Sequence, residues 1–112
     1  MKATLRNGAI EISIIGKLDM ATARRFEADF FEKYLPAPEN VIGLNMSELK
    51  FLDSSGLSIL MKITNAAMSN GKLVYYIALS STILSVIKVA RLDNLLHFMS
   101  EEEFNQKYPA IP

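Results

Sequence analysis

Phe51-Leu52-Asp53-Ser54-Ser55-Gly56-Leu57 joins the end of an apolar, strand-like run to the start of a long helical one. Asp and Ser are preferred N-caps because their side-chain oxygens accept hydrogen bonds from the first free amides, so this stretch marks a helix N-terminus carrying two hydroxyls. The same helix end holds the positive pole of the macrodipole, and a phosphate esterified to Ser54 would be electrostatically tolerated there. These residues therefore read either as a plain cap or as a phosphorylatable switch.

Downstream, a projection at about 100° per residue places Gly56, Leu60, Ile63 and Ala67 on one side, the side that faces a sheet, with Gly56 permitting close approach. Ser54, Ser55, Ser58, Lys62, Asn65 and Ser69 occupy the opposite arc. Leu57, Met61 and Met68 flank that arc, either as an apolar contact patch beside Ser54 or as the edge of a deeply wedged helix. Asn70-Gly71 closes the helix, and Leu73 to Leu79 forms a nearly continuous apolar run of the kind a central strand shows. Upstream, Val41, Ile42, Leu44 and Met46 have the same character.

Nearer the N-terminus, residues 3–6 and 9–15 predict two strands around Asn7-Gly8, a dipeptide suited to a tight hairpin turn. Ile10, Ile12 and Ile14 line one face. Asp19 is the predicted N-cap of a helix burying Ala23, Phe26, Phe30 and Tyr34, which Pro36 and Pro38 end. Beyond residue 79, Ser80, Ser81 and Thr82 cap a helix that buries Ile83, Val86, Ile87 and Ala90. Leu95 to Met99 forms a last strand, and Ser100 with Glu103 fits a capping box opening a short helix that carries Phe104. This alternation predicts one α/β domain over residues 1–112, with a mixed sheet of four to five strands and about four α-helices.

Composition narrows the function. The 112 residues include 12 basic and 12 acidic side chains, and half are apolar, so no electrostatic footprint for nucleic acid exists and a protein partner is expected. There are no cysteines, which excludes thiolate metal sites and suits a reducing cytoplasm. No stretch is apolar enough for membrane insertion or a signal peptide. The chain carries no glycine-rich phosphate loop and no kinase motifs. A serine hydrolase would need a base near Ser54, yet Gly-x-Ser-x-Gly is missing and the single histidine, His97, sits between Leu96 and Phe98. The reading is thus a non-enzyme with no cofactor or metal of its own.

Two segments resemble the STAS family, the sulphate-transporter and anti-sigma-factor-antagonist domains. Gly16-Lys17-Leu18-Asp19 is similar to the family's Gly-x-Leu/Ile-Asp, and the segment from Val41 through Leu60 contains the Asp-Ser-Ser-Gly-Leu signature. The resemblance implies an anti-sigma factor antagonist, monomeric when free, that binds an anti-sigma factor serine kinase and thereby frees the sigma factor. It implies that the kinase phosphorylates Ser54 with ATP to end binding, and that a phosphatase reverses this. Asp19, Asp53, Ser55 and Gly56 would surround the switch, and Leu57, Ser58, Met61 and Lys62 would meet the partner. Asn45, Ser58 and Ser80-Ser81 depart from the family's usual Asp, Gly and Ser-Pro. A STAS scaffold subunit within a transporter or signalling assembly is the alternative.

Overall fold

The computed structural model describes residues 2–112. Strands β1 (Lys2–Arg6) and β2 (Ala9–Ser13) form the expected antiparallel hairpin, with Gly8 at φ +90°. There follow β3 (Gly16–Leu18), α1 (Ala23–Asp29) running into a π-helical turn at Phe30–Tyr34, β4 (Val41–Asn45), β5 (Leu49–Leu52) and α2 (Ser54–Ser69). The chain ends through β6 (Leu73–Ile77), α3 (Ser81–Val89), β7 (His97–Met99) and α4 (Glu101–Lys107). The main sheet has the order β1-β2-β4-β6-β7, parallel throughout except at the β1–β2 hairpin. This is the mixed α/β architecture expected from the sequence.

Strand alternation divides the core in two. Ile10, Ile12, Ile42, Leu44, Val74 and Tyr76 point to one face and meet Phe26 and Phe30 from the first helix, Leu60 and Ile63 from α2, and Ile83 and Ile87 from α3. Ala9, Val41 and Ile77 point to the other face, where Phe104 of α4 closes a smaller cluster. Each large apolar side chain so buried contributes about 1.5–3 kcal/mol. The central strand β4 is buried along its whole length, which is why its run is apolar without alternation.

Several local expectations are corrected. β3 and β5 pair as a separate two-stranded sheet, so they add to the five strands of the main sheet. Asp19 does not cap α1 directly: its carboxylate accepts from the amides of Ala21 and Thr22 and orders the turn that precedes Ala23. The run to Leu79 stops pairing at Ile77, where Ala78 turns to φ +58°. The hairpin strand likewise ends at Ser13, and the last strand begins only at His97, leaving Leu95 59% exposed. Val86 is only half-buried at the edge of the core and Ala90 is exposed, because Ile83 and Ile87 are the α3 side chains turned squarely into the core. Ser100 accepts from the Glu103 amide, but the Glu103 carboxylate lies toward Lys107, so only one half of the capping box forms.

One buried polar pair ties α2 to the sheet. The Tyr76 hydroxyl lies 2.8 Å from the Thr64 hydroxyl and donates to the Leu60 carbonyl. Burial pushes the Tyr76 phenol far above its usual range. A raised phenol favours folding by its neutral form below about pH 10, and that contribution is lost as pH rises beyond it. Tyr76→Phe deprives Thr64 of its partner and should cost about 1 kcal/mol, read as a fall of roughly 4–8 °C in Tm. An unchanged melting curve would show the pair to be energetically idle.

Candidate functional site

The quoted junction folds as its residues dictate. Asp53, extended at φ −110° and ψ −174°, is the N-cap of α2 and accepts from the Gly56 amide at 2.9 Å through Oδ1. Its other oxygen accepts from the Met20 amide at 3.3 Å, and its own amide donates to the Leu18 carbonyl at 3.4 Å. One carboxylate thus joins the helix start to the loop after β3. Gly56 completes the junction: a Cβ there would overlap the Leu18 carbonyl oxygen and come within 2.7 Å of Leu52 Cδ1. Only a residue without a side chain lets α2 lie this close.

The geometry leaves Ser54 exposed as the first residue of α2, with Ser55 half-buried behind it. Asp19 sits in the same loop as Met20, its carboxylate turned onto Ala21, Thr22 and the Thr22 hydroxyl. Asp19 and Asp53 are therefore brought to one place, each held by backbone donors.

Two grooves flank Ser54. On the α3 side, a groove of about 590 Å³ takes in Ser54 and Leu57 together with Val86, Val89 and Ala90. On the α1 side, a groove of about 430 Å³ runs past Ser55, Ser58 and Lys62, facing Met20 and Arg24. Leu57 and Met61 are half-buried and pack on the core, and Leu57 also lines the α3-side groove. Met68, farther along α2, is 47% exposed. Lys62 is exposed but bonded to Glu27 at 2.6 Å, and its ammonium lies 6.0 Å from the Phe31 ring.

Sequence reasoning missed the two most exposed apolar side chains here, Met20 at 80% and Val89 at 84%. Each had a signal: Met20 directly follows the Asp of Gly16-Lys17-Leu18-Asp19, and Val89 falls outside the Ile83–Ile87 stripe of its helix. His97 lies exposed on β7 against the Tyr75 ring, and neither groove contains a histidine. Among the described residues, no cluster of metal-ligating side chains occurs and no helix is long and apolar enough to cross a membrane.

An α/β domain whose sheet carries a serine-bearing helix N-terminus, gripped by an Asp cap and seated by a glycine, is the architecture of a STAS domain. The family model described as "Mlab, STAS domain" matches residues 1–97, and the chain belongs to the STAS family. No curated protein matches at the sequence level. The fold is similar to that of TM1081 from Thermotoga maritima, described as a candidate anti-sigma factor antagonist (18% identity, 95% of this chain and 92% of that one, TM-score 0.85). It is similar to the anti-sigma factor antagonist SpoIIAA in its unphosphorylated form (19% identity, 95% and 93%, TM-score 0.76). It also resembles a sulfate transporter family protein from Wolinella succinogenes (14% identity, 89% and 84%, TM-score 0.70). At these identities the likeness is one of fold.

Proposed function

We propose that this protein is an anti-sigma factor antagonist: a cytoplasmic, non-enzymatic binding module, monomeric when free, that docks on an anti-sigma factor kinase while Ser54 is unmodified and leaves it when Ser54 carries phosphate. The observation that carries this reading is the exposure of Ser54 at the start of α2, directly after the capping Asp53 and at the mouth of an apolar groove. The hydroxyl is open to a kinase, and an added phosphate meets the helix N-terminus instead of disturbing packing. The kinase supplies ATP, Mg²⁺ and the base, and a phosphatase restores the serine. Asp19, Asp53, Ser55 and Gly56 shape the switch; Leu57, Ser58, Met61 and Lys62 belong to the contact surface, which Val89 extends.

Incubation with the cognate kinase and ATP should add one phosphate, located at Ser54 by mass spectrometry. Modification of Ser54→Ala at the wild-type rate would sink the assignment. The contact surface has its own test. Val89→Asp changes a side chain 84% exposed, so the melt should stay put while partner affinity falls about tenfold, or roughly 1.4 kcal/mol. Wild-type affinity in that variant would remove α3 from the interface.

The Wolinella succinogenes likeness favours a second reading, a STAS scaffold within a transporter assembly. Under it Ser54 takes no phosphate and partner binding is constitutive.

A further inference from the structure

Asn-Gly occurs twice in the chain, at Asn7-Gly8 and Asn70-Gly71. In such a pair the backbone amide can attack the preceding carboxamide, because glycine has no Cβ to hinder the approach; every other asparagine here precedes a residue with a side chain. All four residues are exposed, so access to solvent does not separate the two pairs. Hydrogen bonding does. Asn70 is the C-cap of α2, its carboxamide donating to the Ala66 carbonyl at 2.8 Å while the Gly71 amide donates to the Met68 carbonyl at 3.1 Å. Both reacting groups are thereby engaged. Asn7 and Gly8 instead form the turn between β1 and β2, where neither the Asn7 carboxamide nor the Gly8 amide has a hydrogen-bond partner among the described residues.

We propose that Asn7 is a site of spontaneous modification, where cyclisation onto the Gly8 amide yields an isoaspartate that releases the C-terminal segment from the hairpin. The Gly8 nitrogen gives its proton to solvent base and bonds to Asn7 Cγ; the Cγ–Nδ2 bond breaks, ammonia leaves and a succinimide remains. Water then opens that ring at Cγ, giving aspartate, or at the main-chain carbonyl, giving isoaspartate. No oxidant or cofactor is needed. In isoaspartate the chain runs through Cβ and Cγ, so a turn of two residues gains one backbone carbon. This turn also clasps the C-terminus: the Asn7 amide donates to the Pro109 carbonyl at 3.0 Å, Arg6 bridges Ala110, and a Cβ on Gly8 would touch the Tyr108 ring. Lengthening the turn shifts these partners against one another, because a short hairpin loop fixes the register of everything beside it. The inference stands apart from the switch at Ser54, since no partner enters its chemistry.

The test is to incubate the whole chain in mildly alkaline buffer and follow both sites by peptide mapping with mass spectrometry. Asn7 should be converted at least about tenfold faster than Asn70, because Asn70 must first give up two hydrogen bonds. In concentrated urea the two rates should converge, since both sites are then Asn-Gly in an unfolded chain. Hydrogen exchange reads the consequence. The isoaspartate form should lose protection across residues 108–112, whereas Asn7→Asp, which has the added charge without the extra backbone carbon, should keep it. Asn7→Gln should hold that protection throughout the incubation. Equal rates in the folded chain, or a gap that persists in urea, would overturn Asn7 as the structurally selected site. An isoaspartate form as protected at its C-terminus as the wild type would overturn the release.

Discussion

Phosphorylated on Ser54, the protein should bind its kinase partner at least about a hundredfold more weakly than the unmodified form, with its fold unchanged. Two unit charges about 4 Å apart interact by roughly 1 kcal/mol in bulk water and about 4 kcal/mol at an effective dielectric of 20. Ser54 lies between an apolar groove on the α3 side and the loop held by Asp53, so a docked partner partly dries it. A phosphate carrying about 1.5–2 negative charges against a partner carboxylate then costs a few kcal/mol, and each 1.4 kcal/mol is about tenfold in affinity. No change of conformation is required. Within the domain the same phosphate gains roughly 0.3–1 kcal/mol from the helix N-terminus, which partly offsets repulsion from Asp53 and Asp19. Calorimetric titration should rank wild type tightest, Ser54→Asp weaker and phospho-Ser54 weakest, since Asp carries about one charge and fewer acceptor oxygens. Thermal melts of the two forms should match. Equal affinity for the first and last would end the switch and leave the scaffold reading, whereas a fall of about 10 °C or more on phosphorylation would mean that the switch acts by unfolding.

Gly56→Ala should destabilise the domain by about 2 kcal/mol or more, the reverse of what helix propensity alone requires. Alanine is favoured over glycine inside a helix by about 1 kcal/mol. At this position its methyl group would overlap the Leu18 carbonyl oxygen and press on Leu52 Cδ1. The carbonyl belongs to β3, which pairs with β5, so relief requires α2 to lift from both strands. That movement would break the hydrogen bonds by which Asp53 holds Met20 and Gly56. The loss should appear as a drop of roughly 8–16 °C in Tm. Partner affinity should fall as well, because the loop beside Ser54 shifts with the helix. A variant as stable as wild type, or more so, would show that the helix start moves freely, and the rigid support claimed for Ser54 would be wrong.

Much of this was legible in the chain itself. The apolar runs at 41–46 and 73–79, the Asn7-Gly8 turn and the helical stripe from Gly56 to Ala67 are local patterns, set by strand and helix periodicity. They suffice for an α/β domain with a mixed sheet. Asp53-Ser54-Ser55-Gly56 is legible for the same reason: caps and close-approach glycines act within a few residues of themselves. Even the seating of Gly56 against a neighbour followed from its place on the buried stripe, although the neighbour did not.

What lay beyond the sequence is everything decided by which distant segments meet. β3 and β5 become a sheet only because residues more than thirty apart come alongside each other. The second grip of Asp53, on the Met20 amide, exists only in that arrangement. Lys62 reads as a free cation on its own helix, and it is the approach of α1 that supplies Glu27. Val89 and Met20 become flanking surface because α3 and the loop after β3 are packed on either side of Ser54, an outcome that periodicity within a single segment does not specify. The sequence by itself determined the elements and the serine at a helix start; the tertiary structure decided the company that serine keeps, because burial, ion pairing and groove shape depend on packing between elements rather than on propensity within them.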